Sequence, residues 1–285
     1  MRNHCQSFLH DLIEKFLTNK SFHNKMILGI DIGGTTLKAG LVKDKRIIRK
    51  KTIKTGSTKK DIIDNLLDLT DSLFEKNISH IGIGCPGPAD YKKGIIGDTP
   101  NLPLKGTNLK KLIRQRFRKK VLISNDAACF ALGESIRLKK SNLVALTLGT
   151  GIGGGIIIDK KIYSGKGNAG EMGHTTINFK GPNSINHGDL ESYISAKAIE
   201  RDYNLPPEKL KSKKAWNEIG EKLGIGIANI INSLDPEIIV LGGGISNSFS
   251  LFRKGMQKQI TERAISKTRT IKGKQESGIL GAALQ

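Results

Sequence analysis

The sequence predicts an α/β protein of two similar lobes with a cleft between them, and three observations predict it. Two glycine-rich loops, GIDIGGTTLKAG (Gly29 to Gly40) and LTLGTGIGGG (Leu146 to Gly155), each follow a short apolar run, Met26 to Ile32 and Leu143 to Leu148. Strand-like and helical stretches alternate through both halves of the chain, so a mixed sheet with crossover helices is expected twice. Each loop sets hydroxyls beside its glycines, which lets backbone N–H groups approach a phosphate closely. Two such loops at strand ends read as a two-jawed phosphate grip.

The first 25 residues stand apart. Phe8, Leu9, Leu12, Ile13, Phe16 and Leu17 recur at helical spacing as one apolar stripe, followed by polar Thr18 to Lys25. No long apolar region with a small-residue cleavage site is present, so this is not read as a signal peptide, and a DNA-binding winged helix would need far more chain. The segment is expected to be a helical appendage, or the product of an upstream start with Met26 as the functional beginning.

From Met26 the elements follow from periodicity. After Gly34 the chain reads TTLKAGLV, with Leu37, Ala39 and Leu41 on one face and Thr36, Lys38 and Gly40 on the other. That is period two, a strand, so the first loop is the tip of a hairpin and not a P-loop or dinucleotide fingerprint. A third strand (Arg46 to Ile53), an amphipathic helix (Lys59 to Lys76), a strand (Ile78 to Gly84) and a loop-rich stretch (Cys85 to Thr107) come next. Helix Leu109 to Arg118, strand Lys120 to Ser124 and helix Ala127 to Leu138 close the first half. The second half is expected to hold strands Leu143 to Leu148 and Gly155 to Ile158, a polar segment Gly165 to Gly188, and helices Leu190 to Arg201 and Ala215 to Leu234. Strand Ile238 to Leu241, Gly242-Gly243-Gly244, a further helical region and a terminal Gly-Ala-Ala complete it. The expected division is 1–25 as extension, 26–124 and 125–285 as lobes, with the C-terminal end able to pack back on the first lobe.

Composition narrows the class. At 285 residues the chain can bury an ample core, and no apolar run approaches a membrane span. Cys5, Cys85 and Cys129 are widely spaced without a CxxC pattern, which favours reduced thiols in a cytoplasm over disulfides. The 47 Lys and Arg against 26 Asp and Glu give a formal +21, dispersed over several clusters. Such a field attracts polyanions, but aromatics are 5% and none interleave with the basic clusters, so a nucleic-acid surface is not expected.

The motifs then reach a family. DIGGTTLK from Asp31, GCPGP from Gly84, Asn125-Asp126-Ala127, GTGIGGG from Gly149, EMGH from Glu171, LESY from Leu190 and Gly242-Gly243-Gly244 occur in the order of the ROK family, sugar kinases and related repressors. The resemblance runs from about Met26 to Gln285 and implies a two-lobed actin-like ATPase (ribonuclease H-like) fold with a central ligand cleft. It implies MgATP as phosphoryl donor, a hexose as acceptor and a homodimer. Asp126 matches the catalytic aspartate that takes the proton of a hexose hydroxyl; read alone, Asn125-Asp126 also serves as a helix N-cap.

The same resemblance distributes the remaining roles. Asp31 would hold Mg²⁺ through water, and Gly33, Gly34, Thr35, Lys38, Gly149, Thr150, Gly151, Gly153, Gly154 and Gly155 would line the phosphates, although glycines there also permit tight sheet packing. Gly243 and Gly244 would lie beside the adenosine. Gly87, Thr99, Asn101, Asn125, Glu171, His174 and Glu191 would contact the sugar; acids at Asp189 and Glu191 equally suit a helix start. Many relatives carry three cysteines, C-x-C-x4-C, that bind zinc together with this histidine. Here the stretch Gly181 to Asp189 has none, so no structural zinc is expected.

The function expected is an ATP-dependent hexose kinase, glucokinase first. The alternatives are a polyphosphate-dependent glucokinase, an N-acetylmannosamine or N-acetylglucosamine kinase, and a non-enzymatic sugar sensor.

Overall fold

A computed structural model describes residues 26–99, 102–181 and 188–285, so the N-terminal apolar stripe, Asn101 and residues 182–187 lie outside it. Two five-stranded sheets share one plan. The first has the order β3-β2-β1-β4-β7, from β1 (Met26–Ile32), β2 (Thr36–Lys43), β3 (Arg46–Lys54), β4 (Ile78–Cys85) and β7 (Lys120–Asn125). The second has the order β10-β9-β8-β11-β12, from β8 (Leu143–Leu148), β9 (Ile152–Ile158), β10 (Lys161–Tyr163), β11 (Ile238–Gly242) and β12 (Arg269–Lys272). In each, the first three strands form an antiparallel meander and the last two pair in parallel. A small ribbon, β5 (Ala89–Asp90) with β6 (Ile95–Ile96), lies inside the loop-rich stretch.

Alternation assigns the faces. Leu28, Ile30 and Ile32 of β1 enter a core shared with Ile62, Leu66 and Leu69 of α1 (Lys59–Asp71) and with Leu109, Ile113 and Phe117 of α2 (Leu109–Phe117). The opposite face of β1 carries Gly29 and Asp31, and in register beside them stand Gly82 and Gly84 of β4. Gly29 and Gly82 form a bed for α8 (Ser277–Leu284): a Cβ on Gly29 would lie 2.2 Å from the Ile279 carbonyl, and one on Gly82 1.7 Å from that of Ala282. The chain's last helix therefore packs on the first sheet, against α3 (Asp126–Leu138). Buried Glu134 of α3 holds its start, accepting from the Lys274 N–H (2.7 Å) and the Ser277 hydroxyl (2.6 Å) and pairing with Arg137.

The second sheet is buried on both faces. Val144, Leu146 and Leu148 pack with Trp216, Leu223 and Ile227 of α6 (Lys213–Leu234) and Phe252 of α7 (Phe249–Arg263), while Leu143 and Ala145 meet Phe130 and Ala131 of α3. Helix α3 thus contacts both β4 and β9, between the sheets. The expected helix Leu190 to Arg201 is two, α4 (Glu191–Ile194) and α5 (Ala196–Tyr203), because Ser195 turns extended and caps α5 through Ala198 N–H. Among the described residues no helix is long and apolar enough to cross a membrane.

Candidate functional site

Both glycine-rich loops are hairpin tips. In the first, Ile32 pairs with Leu37 and the chain turns through Gly33, Gly34 and Thr35, of which Gly34 and Thr35 are exposed. Buried Thr55 holds this tip from below: its hydroxyl donates to the Gly33 carbonyl (2.7 Å) and its N–H to that of Thr35 (3.0 Å). In the second, Leu148 pairs with Ile152 around Gly149, Thr150 and Gly151, with Thr150 exposed. Gly153, Gly154 and Gly155 lie within β9, and there packing governs them. A Cβ on Gly155 would stand 2.5 Å from the Ala127 carbonyl, and one on Gly154 2.2 Å from that of Gly170. Gly243, at φ +78°, closes against the Leu148 carbonyl at the base of the same tip, and Gly244 faces open space.

The roots of the two tips meet at the start of α3. Asp31, one residue before the end of β1, stands opposite Lys38 on β2, whose ammonium lies 3.7 Å from its carboxylate. Asp126 is the first residue of α3, next to Gly84, and the Ala127 side chain abuts Gly153. The capping role belongs to Asn125, whose Oδ1 accepts from Ala128 N–H (3.1 Å). Burial, then the charge of Asp31, pushes the Asp126 carboxyl up to about 7. Burial also raises that of Asp31, against the lowering effect of Lys38.

The other described candidates each have definite partners. Gly87 faces the Tyr91 hydroxyl and Asn125 Nδ2, and Asn125 Nδ2 donates to Tyr91 (3.2 Å). The Thr99 hydroxyl is spent locally, donating to the Leu102 carbonyl (2.7 Å). Glu171 is exposed, 4.0 Å from His174 Nε2, and its charge acts on Asp126. His174 Nδ1 lies 3.0 Å from the carboxylate of buried Asp189. Glu191 turns toward the second tip: its Oε2 accepts from Ile152 N–H (2.6 Å) and lies against Gly151.

Thr55 and Tyr91 stand in none of the motifs, and Asp189 reads from sequence only as a helix-start acid. It stands in the segment where relatives have zinc ligands. That segment does not suit a thiolate zinc site: no cysteine follows Cys129, and the imidazole is turned onto a carboxylate. Asp31, by contrast, offers the hard carboxylate oxygens that Mg²⁺ takes.

The chain matches the ROK family over residues 27–284. It is 33% identical over 280 residues to an N-acetyl-D-glucosamine kinase of Photobacterium profundum, spanning 85% of this chain and 91% of that one. To a xylose repressor of Caldicellulosiruptor bescii it is 31% identical over 281 residues, spanning 84% and 70%. A ROK family glucokinase from Streptomyces griseus, solved with glucose and AMPPNP, shares 26% identity with a TM-score of 0.77 over 90% of this chain and 98% of that one. The paired sheets are those of the actin-like ATPase fold, and the chain belongs to the ROK family.

Proposed function

We propose that this chain is an ATP-dependent hexose kinase that phosphorylates the primary hydroxyl of its sugar, with glucose the first candidate acceptor and N-acetylhexosamines next. The observation that carries the reading is the placement of Asp126, at a helix start between the roots of two glycine hairpins, with its pKa raised to about 7. A base of that strength is half ionised near neutral pH, which suits it to accept a hydroxyl proton as the oxygen attacks phosphorus. Burial, and after it the charge of Asp31, raises that pKa, and Asn125 and Tyr91 fix the wall beside the carboxyl.

In this reading the tips Gly33 to Thr35 and Gly149 to Gly151 present N–H groups and hydroxyls to the donor phosphates, and Gly243 and Gly244 border the nucleoside. Gly153 and Gly155 act indirectly, by letting β9 approach α3, and Gly154 by letting the Gly170 backbone approach the other face. Asp31 would hold Mg²⁺ through water, and the ion would supply charge neutralisation at the phosphates. Glu171, His174 and Glu191 would orient the sugar hydroxyls as acceptors. The sheets would form the cores of two lobes, 26–124 and 125–285, with α8 returning to the first; a cytoplasmic homodimer is the expected form.

Two other readings each have an observation behind them. The exposed edge strand β3 carries Arg46, Arg49, Lys50, Lys51 and Lys54, a row of cations suited to an inorganic polyphosphate donor. Similarity to a repressor favours a sugar sensor. Direct detection of sugar phosphate from glucose, N-acetylglucosamine, N-acetylmannosamine, fructose and allose, with MgATP and with polyphosphate, separates them. A product with MgATP supports the kinase; product with polyphosphate alone replaces the donor; sugar binding without product supports the sensor.

A further inference from the structure

We propose that Asp189 is a positioning residue that orients the sugar-binding side chains by direct hydrogen bonding, in place of a metal cross-link. Its carboxylate is buried and both oxygens are engaged. Oδ2 meets His174 Nδ1 at 3.0 Å, while Oδ1 accepts from the Ser192 N–H at 2.9 Å and from the Ser192 hydroxyl. The first contact reaches the short 3-10 turn Met172–His174, and the second reaches the opening turn of α4. One carboxylate therefore joins the segment that carries Glu171 and His174 to the segment that carries Glu191.

The backbone reinforces the junction. Thr176 and Asp189 form an antiparallel bridge, and Leu190 N–H donates to the Thr175 carbonyl (3.0 Å). Glu191, set by this junction, in turn accepts from Ile152 N–H beside the second hairpin tip. The link therefore runs from His174 through Asp189 to α4 and on to the phosphate-side loop.

The chemistry fixes the imidazole as well as its place. A carboxylate is acceptor-only, so the atom facing it on a neutral ring must be Nδ1–H, which leaves Nε2 as the acceptor nitrogen on the side of Glu171. A sugar hydroxyl is then met by an acceptor of defined direction. Without the Asp189 carboxylate its constraint on the ring is lost, and the two segments keep only their backbone bridge. In metal sites the partner of a histidine sets its tautomer in the same way; here the carboxylate serves that purpose with no ion.

The substrate side of this proposal rests on the sugar-kinase reading, so the test includes a measurement that does not. Asp189→Asn and Asp189→Ala would be compared with the intact chain by sugar and ATP kinetics, by sugar titration calorimetry, and by ¹⁵N-histidine NMR. We expect the intact chain to show His174 with its proton on Nδ1, and Asp189→Ala to lose that signature. The KM or Kd for sugar should rise about ten-fold or more while the KM for ATP stays within about two-fold, with Asp189→Asn intermediate. Chelation followed by restored Mg²⁺ should leave sugar affinity unchanged, with no zinc in the purified protein. An unchanged tautomer and sugar KM in a folded Asp189→Ala would overturn the proposal, as would bound zinc whose removal weakens sugar binding. If Asp189→Ala fails to fold, the isosteric Asp189→Asn decides by the same readouts. A chain that turns over no sugar contradicts the kinase reading alone, since the tautomer remains measurable.

Discussion

The two glycine hairpins occupy equivalent places in equivalent sheets, yet their glycines answer to different physical demands. In the β1–β2 hairpin the tip is open: Gly34 and Thr35 are exposed, and the support comes from Thr55 beneath. In the β8–β9 hairpin the run of glycines has two parts. Gly149 has open space where a Cβ would stand, whereas Gly153 to Gly155 would drive a Cβ into Thr147, Gly170 and Ala127. The same residue type thus leaves open space at the tip and permits close approach of a helix and a neighbouring loop along the strand. A motif that looks like one phosphate loop is a short exposed tip attached to a packing surface.

Substitutions break this comparison at known points. The largest effect is expected for Gly155→Val, whose side chain has no room between β9 and α3; overpacking of this kind costs about 3 kcal/mol or more, and chemical denaturation should register it. An unchanged unfolding midpoint would return Gly155 to the phosphate-binding set.

A smaller effect belongs to the point where the halves meet. Asp126 has its pKa raised by burial and by Asp31, so its ionised form is the disfavoured one in the folded chain. Its penalty on stability is absent below about pH 4, where the carboxyl is protonated folded or unfolded, and grows as pH rises toward about 7. Asp126→Asn should therefore stabilise the fold by about 1–3 kcal/mol at neutral pH, with the gain vanishing near pH 4. Thermal melts across that range check it. For the active chain, kcat/KM for the sugar should fall as pH drops through about 7, because the proton then occupies the base.

The smallest structural effect, and the sharpest functional contrast, is expected at the tips. Gly149→Ala and Thr35→Ala should each change stability by less than about 0.5 kcal/mol, since neither side chain is packed, while raising the KM for ATP several-fold. Equal KM values in mutant and parent would mean that the tips do not touch the donor.

The sequence made the hairpins legible because period two survives wherever alternate positions are large, as in Leu37, Ala39 and Leu41. It hid the start of β9, since Gly153 to Gly155 have no side chains to show alternation. Strand β10 and the exposed parts of β12 are short and polar, and Ser195 interrupts a helical pattern with a cap inside it. At the site, Asp31, Asp126 and Glu191 stand in motifs and could be named. Thr55 and Tyr91 do not, and Asp189 reads only as a helix-start acid, because what gives each a role is a partner elsewhere in the chain, such as the Gly33 carbonyl for Thr55 and His174 for Asp189.

The central claim is that Asp126 takes the sugar proton while other groups bind the substrates. The direct test pairs sugar-dependent ADP release with sugar titration calorimetry in the parent chain and in Asp126→Asn. The account predicts that turnover falls about a thousand-fold, within the range for loss of a general base, while sugar affinity stays within a few-fold. Turnover that survives the substitution would contradict it and place the proton elsewhere.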